Sequence, residues 1–456
     1  MDVTINPGTR VAGEAKVPGD KSIAHRWLIL ASTARGGSEL RGLPASLDVR
    51  STARCLAQVA PKARPALEVW AGNASSAVEG RGSTWNPSEP DHHDVMLEVE
   101  GEGREGLVLP DGELDCGNSG TSMRLLAGVL AGAPFTSILT GDESLSGRPM
   151  ERVAEPLRLM GAGVTTTEGR APMRVHGGGL RGIDYEIPVA SAQVKGAILL
   201  AAMSADGATT VHEPAPVRDH TERALRGLGC TVETLDGTIV ARPCQHDGFA
   251  TSLPGDPSSA AFVLAAAALT GGEITITDVG LNPSRLHFLE VFARLGIEVR
   301  CEVDREELGE PVGSMHLAAI EGLRPVRVEP HEIPLIIDEI PILAAVAAHA
   351  PGDSWFLDTG ELRIKESDRL AAIATQIRAL GGHAAEEGDD LVLAGGGLTG
   401  GRGDAVGDHR MAMALTVAAL AASTPSTVRG MEAADVSFPG FVAMLSRLGA
   451  DLEAGS

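Results

Sequence analysis

The chain has 456 residues, enough for two or three ordinary domains, and its 43% hydrophobic content with 3% aromatics predicts cores built mostly from Ala, Val, Leu and Ile. Basic residues number 38 and acidic ones 61, a net charge of −23, which argues against attraction to nucleic acid or an anionic membrane; an anionic ligand would need local basic clusters acting against the overall field. Five scattered cysteines (Cys55, Cys116, Cys230, Cys244, Cys301) without C-x-x-C spacing predict reduced thiols and no metal site, and the lack of a leader or of an apolar run near roughly 18 residues predicts a soluble cytoplasmic protein.

The first informative stretch runs from Pro18 to Arg26, Pro-Gly-Asp-Lys-Ser-Ile-Ala-His-Arg. Pro18 and Gly19 stop a strand, and Asp20 can cap the helix that follows. Lys21 and Ser22 then sit at a helix N-terminus, where free N–H groups and the dipole favour an anion, with Arg26 one turn further on the face of Ser22. Taken alone, the same residues also describe a capped surface helix. Residues 72–93 are rich in Gly, Ser, Asn, Pro and Asp and read as an inserted surface loop, in which His92 and His93 lack the partners of a metal site.

Further clusters of the same kind follow. Asp115-Cys116-Gly117-Asn118-Ser119-Gly120-Thr121 leads into a helix carrying Arg124, its glycines letting backbone N–H groups approach an anion; it is not a Walker loop. Arg148 precedes Pro149, a residue suited to a helix's first position. Ser191-Ala192-Gln193-Val194-Lys195 opens an apolar helix over 196–203. Asp338 and Glu339 interrupt an apolar run from Ile333 to Ala348, a costly place for carboxylates unless they are paired or functional. Arg363-Ile364-Lys365-Glu366-Ser367-Asp368-Arg369 is dense in both signs, and Asp408-His409-Arg410 opens a helix too apolar for a surface element. Each cluster is weak by itself. Six polar helix starts in an acidic chain point together to an anion site.

The organisation is repetitive. Met160-Gly161, Leu228-Gly229, Leu295-Gly296, Leu380-Gly381 and Leu448-Gly449 each read as a helix end followed by a strand, the glycines lying 68, 67, 85 and 68 residues apart. A matching helix end near Ala60 precedes the 72–93 insertion. This gives six units of two helices each, three on either side of a turn cluster at Leu253-Pro254-Gly255-Asp256, with a ligand cleft expected between the two halves.

Over essentially its whole length the sequence closely resembles the EPSP synthases (3-phosphoshikimate 1-carboxyvinyltransferases) of the enolpyruvyl transferase family. The matching segments are Pro18–Arg26, Gly-Asn-Ser-Gly-Thr-Ser-Met-Arg (117–124), Arg148-Pro149, Ser-Ala-Gln-Val-Lys (191–195), Asp338-Glu339, Lys-Glu-Ser-Asp-Arg (365–369) and Asp-His-Arg-Met-Ala-Met (408–413). The resemblance implies an α/β fold, a two-lobe inside-out α/β barrel of six βαβαββ units. One lobe would hold residues 1–18 and 255–456, the other 19–254. It implies transfer of the enolpyruvyl group of phosphoenolpyruvate to the 5-hydroxyl of shikimate 3-phosphate, releasing phosphate, in aromatic amino-acid biosynthesis, with no metal or organic cofactor. It assigns Lys21, Ser22, Arg26, Ser191, Gln193, Asp338 and Lys365 to shikimate 3-phosphate. Lys21, Gly120, Arg148, Gln193, Arg369 and Arg410 would hold phosphoenolpyruvate, with Asn118, Arg124 and His409 in support. Asp338 and Glu366 would be the acid–base pair, and Lys21 would stabilise charge in the adduct.

Three positions depart from the commonest family pattern: Ala192 for a second serine, Glu361 for an asparagine, and Val436 for a lysine. Gly120 leaves room in the phosphoenolpyruvate pocket and so favours glyphosate sensitivity. Rival readings are a transferase acting on UDP-N-acetylglucosamine, whose relatives carry Lys-Asn at the position of Lys21-Ser22, and a non-catalytic clamp for a phosphorylated metabolite. A monomer is expected, since a clamp can close without a partner.

Overall fold

The computed structural model describes residues 1–72 and 96–455; the predicted 72–93 loop, apart from Gly72, lies outside the described residues, as do His92 and His93. Among the described residues the strands form six sheets, five of four strands and one of three. One pattern recurs in them. In Leu114–Asp115, Thr136–Thr140, Gly163–Thr167 and Arg170–His176 the first two strands pair in parallel and the last returns antiparallel between its neighbours, giving the spatial order first, second, fourth, third. The parallel pair requires a crossover, supplied by the helix Gly120–Ala131, and the helix Glu151–Met160 leads to the hairpin. That is a βαβαββ unit. The same order holds for the strands between Asp184 and Ala241 and between Arg327 and Ala394.

Three sheets take strands from distant parts of the chain. Asp2–Asn6 lies antiparallel between Ser426–Arg429 and Asp451–Ala454, and Gly13–Lys16 runs parallel to Ile274–Gly280. Ala250–Ser252 runs parallel to Arg35–Arg41. Accordingly the buried apolar residues separate into two clusters, one drawn from Val3–Val17 and Ala260–Ala450, the other from Ile23–Leu253.

The two helices of a unit differ in the way their sequences demand. The second is amphipathic and ends at Gly in the left-handed region: Gly161, Gly229, Gly296, Gly381 and Gly449 all have positive φ, as the hydrophobic–Gly pairs predict. The first is apolar nearly all round and therefore buried. Ala192–Ala202, Pro257–Leu269, Ile340–Ala347 and His409–Leu420 are of this kind, as are most of Lys21–Ser32 and Gly120–Ala131.

Two sequence expectations need correction. Cys230 and Cys244 form a disulfide with Cα atoms 5.7 Å apart, leaving Cys55, Cys116 and Cys301 as thiols. The pair flanks the hairpin of Val232–Leu235 and Thr238–Ala241, whose antiparallel register brings the two ends together; spacing in sequence gave no sign of it. Pro149 is not a first helical residue, because Met150 N–H is drawn to the Gly169 carbonyl (2.7 Å) and the helix begins only at Glu151. The apolar run around Asp338 and Glu339 is two helices, Ile333–Ile336 and Ile340–Ala347, with both carboxylates in the break. Among the described residues no helix is long and apolar enough to cross a membrane, and no His, Cys, Asp and Glu group could hold a metal ion.

Candidate active site

The N-termini of all six buried helices reach one cavity between the two clusters. Its walls include Lys21 and Ser22, Thr121, Ser191 to Gln193, Asp256, Asp338, and His409 with Arg410, each at or beside the start of a different buried helix. The helix starts are capped as their sequences suggest: Asp20 accepts from Ile23 N–H (2.9 Å), Ser119 from Ser122 N–H (3.1 Å), Ser191 from Val194 N–H (3.4 Å) and Asp408 from Arg410 N–H (2.9 Å). Six positive helix ends thus face one space in a chain of net charge −23, which is how an acidic protein can hold an anion.

Side chains add to that field. Lys21 Nζ lies 2.9 Å from Asp48 Oδ2; burial works against its charge, but Asp48 and Glu366 outweigh this and raise its pKa, so it stays an ammonium. Arg148 donates to Asn118 Oδ1 and lies 3.8 Å from Glu366 Oε1, while Asn118 is itself held by Asp142 Oδ2 (2.9 Å). Arg124 donates to Gln193 Oε1, and Gln193 Nε2 donates to Thr121 Oγ1 (2.7 Å), which fixes the amide's orientation. Little space remains beside Gly120: a Cβ would come within 3.3 Å of Arg124 Nη1 and 3.4 Å of Arg148 Nη1 and crowd both guanidiniums.

Opposite stand the carboxylates. Asp338 Oδ2 lies 2.7 Å from Arg218 Nη2 and 3.7 Å from Arg410 Nη2, and Oδ1 lies 3.6 Å from Arg369 Nη1. Arg410 Nη1 also donates to the Asp338 carbonyl (2.8 Å). Glu366 pairs with Arg369, which is anchored through Nε to Asp408 (2.7 Å). Burial disfavours the charge of both carboxylates, yet surrounding cations dominate: Arg410, Arg218, Lys365 and Arg369 around Asp338, and Arg369, Arg148 and Lys21 around Glu366. Both are therefore held well below the usual carboxylate range. Neighbouring Glu339 is shifted upward, chiefly by burial. Lys365 is lowered by burial, and His409, pushed to about 3 by burial beside Lys21, is neutral at pH 7.

Of the residues singled out in the sequence, Lys21, Ser22, Arg124, Arg148, Ser191, Gln193, Asp338, Lys365, Glu366, His409 and Arg410 line the cavity. Arg369 is buried behind it, Asn118 accepts from Arg148, and Gly120 lies beside Arg124 and Arg148. Arg26 does not line it; its Nε donates to Thr221 Oγ1 (2.7 Å) and its Nη1 to the Ser22 carbonyl (2.8 Å), so it braces the lysine-bearing turn. Ala192 and Glu361 are on the wall, whereas Val436 is not.

This geometry accords with the sequence comparisons. The family model described as EPSP synthase (3-phosphoshikimate 1-carboxyvinyltransferase) matches residues 5–75 and 85–445. The chain belongs to the EPSP synthase family. Relatives named 3-phosphoshikimate 1-carboxyvinyltransferase from Acidithiobacillus ferrooxidans and Methylococcus capsulatus are 44% and 43% identical to it, covering 99% of this chain and 99% and 98% of their own lengths. A solved EPSP synthase from Acinetobacter baumannii matches with a TM-score of 0.83 at 36% identity, covering 99% of each chain. The enolpyruvyl transferase NikO from Streptomyces tendae, at 19% identity and a TM-score of 0.73, shows the shared fold alone. As a member of this family the chain is a transferase, and neither the sugar-nucleotide branch nor a non-catalytic clamp is favoured.

The sequence reading missed cavity residues of this EPSP synthase. Arg152, four residues after Arg148, and Arg218 were overlooked on the cavity wall, as was Asp48 behind it, the partner of Lys21. Arg218 had a usable signal: Val217-Arg218-Asp219 immediately precedes the helix His220–Gly227, another polar helix start.

Proposed function

We propose that the cavity holds shikimate 3-phosphate and phosphoenolpyruvate side by side and that its own residues carry the 1-carboxyvinyl transfer. The two lobes, 1–18 with 255–456 and 19–254, would close over both substrates. Lys21, Ser22, Ser191, Gln193, Asp338 and Lys365 bind shikimate 3-phosphate, with Arg26 acting through the Ser22 carbonyl. Lys21, Arg148, Gln193, Arg369 and Arg410 bind phosphoenolpyruvate, whose carboxylate and phosphate suit forked guanidiniums, and Gly120 leaves room for it. The observation that carries this reading is the placement of two ionised carboxylates, Asp338 and Glu366, among cations at the meeting point of six helix N-termini.

In the reaction the 5-hydroxyl oxygen bonds to C2 of phosphoenolpyruvate as it loses its proton, and the methylene carbon gains one. The tetrahedral adduct then loses a methyl proton as the C2–O bond to phosphate breaks. Asp338 and Glu366 both rest as bases, so the carboxyl that has taken the hydroxyl proton becomes the acid that passes one on. Lys21 and the arginines are fixed beforehand where charge gathers in the adduct, so they need little reorganisation. The carboxylates have a second role: Asp338 ion-pairs with Arg218, Arg369 and Arg410, and Glu366 with Arg369, which holds these like charges together. We read the enzyme as a cytoplasmic monomer, without nucleic-acid or membrane partners.

Glu366→Gln tests the assignment. It should bind both substrates by calorimetry while phosphate release falls by roughly 10²-fold or more. A variant that binds both and stays fully active would remove Glu366 from the chemistry.

A further inference from the structure

One buried side chain holds the two chain crossings between the clusters to each other. Residues 17–20 lead into the Lys21–Ser32 helix, and residues 253–256 lead back into Pro257–Leu269. Their backbones pair: Asp20 N–H donates to the Pro254 carbonyl and Asp256 N–H to the Pro18 carbonyl, both at 2.8 Å. Arg285 lies at this junction with its side chain 2% exposed. Nη1 donates to Asp20 Oδ2, and Nη2 donates to Asp256 Oδ1 and Ser258 Oγ, both at 2.8 Å.

Each of these contacts leads to the cavity by a short path. Asp20 caps the helix whose first residue is Lys21. Ser258 Oγ donates onward to Glu339 Oε1, the neighbour of Asp338. Arg285 Nη1 also lies 3.3 Å from His220 Nε2, two residues after Arg218, and His220 Nδ1 is held by Glu310 Oε1 at 2.7 Å. One guanidinium therefore touches the supports of Lys21, of Arg218 and of Asp338. Arg285 is itself on the cavity wall, but both terminal nitrogens are committed to protein oxygens, so it acts through these neighbours.

We propose that Arg285 is a positioning residue for the carboxyvinyl transfer: it sets the register of the Lys21 helix start, Arg218 and the Asp338–Glu339 turn relative to one another. The inference rests on the roles assigned to those residues above. Only a planar fork reaches both aspartates in fixed geometry; a lysine keeps the charge but can serve only one at a time. Misplacement of reacting groups by about 1 Å can cost roughly 10² in rate, so loss of the fork should appear in turnover even where the fold survives.

The test uses Arg285→Lys, Asp256→Asn, which keeps a capping oxygen, and the double variant, with kcat and KM measured for both substrates and melting followed in parallel. Arg285→Lys should melt near the parent while kcat falls roughly 100-fold and KM for shikimate 3-phosphate changes a few-fold. The double variant should lose no more than the worse single one, because both break one linkage. A folded Arg285→Lys protein with kcat within about threefold of the parent, or losses that simply multiply, would overturn the proposal. If Arg285→Lys does not fold, Asp256→Asn alone decides: a kcat at least about tenfold lower supports it, and an unchanged kcat overturns it. Failure of the underlying reading would look different, since the unmodified enzyme would then release no phosphate from the two substrates.

Discussion

Asp338→Asn removes a charge while keeping the shape of the side chain, and it separates the carboxylate's two roles. The anion lies 2.7 Å from Arg218, 3.6 Å from Arg369 and 3.7 Å from Arg410. A pair of charges about 4 Å apart in an effective dielectric of about 20 attracts by about 4 kcal/mol before desolvation is counted. That attraction competes with the incoming phosphoenolpyruvate for the same guanidiniums. If a third of one such pair's energy is released to the ligand, about 1.4 kcal/mol, affinity for phosphoenolpyruvate rises by about tenfold. Turnover should move the other way, down by roughly 10²–10⁴, the contribution of a positioned acid–base group. Calorimetry gives the dissociation constants and a phosphate-release assay gives kcat. The reasoning is refuted if kcat stays within a few-fold of the parent. It is refuted equally if both affinities fall in step with the rate, because Asp338 would then be only a strut between arginines.

Gly120→Ala brings a methyl against Arg124 and Arg148, so KM for phosphoenolpyruvate should rise by roughly tenfold with a smaller change for shikimate 3-phosphate; an unchanged value contradicts the placement. Lys195, 1% exposed, sits 2.7 Å from Glu213 and 2.6 Å from Glu222, and Lys195→Met should cost about 3–5 kcal/mol in a denaturant titration by stranding two buried carboxylates, a loss below about 1 kcal/mol counting against it. Thiol titration in denaturant should find three groups before reduction and five after; five at the outset would mean that Cys230 and Cys244 are not joined. Burial disfavours the charged forms of Asp20, Asp48 and Asp408, but Arg285, Lys21 and Arg369 outweigh it and lower their pKa values on folding. Their stabilisation is complete above the unfolded value of about 3.9 and is lost as pH falls below it, so unfolding free energy should drop steeply below about pH 4; a flat profile from pH 6 to 3 contradicts this.

Much of this was readable in the chain because the signals are local. A hydrophobic residue followed by Gly marks where each amphipathic helix must take a left-handed turn, and at Gly161, Gly229, Gly296, Gly381 and Gly449 the structure takes it. Asp20, Ser119, Ser191 and Asp408 announce helix starts by the hydrogen bonds their side chains can make to the next turn. Lys21 and Arg410 were found because they stand beside such starts, whereas the role of Glu366 came from the family resemblance. Features made by long-range packing were not readable. Asp48 becomes the partner of Lys21 only when two helices meet, and Cys230 reaches Cys244 only once the intervening hairpin forms. Arg285 occupies a short turn, Pro283–Arg285, with no pattern of its own, and its four partners come from three segments of the chain. Pro149 was misjudged for a related reason, since the carbonyl that delays its helix belongs to Gly169.

Phosphate release by the purified protein tests the central claim most directly, with phosphoenolpyruvate present and either shikimate 3-phosphate or UDP-N-acetylglucosamine as acceptor. Release that requires shikimate 3-phosphate and is abolished by Lys21→Ala is the predicted result. Release with the sugar nucleotide alone, or binding of shikimate 3-phosphate and phosphoenolpyruvate without any release, would contradict the account.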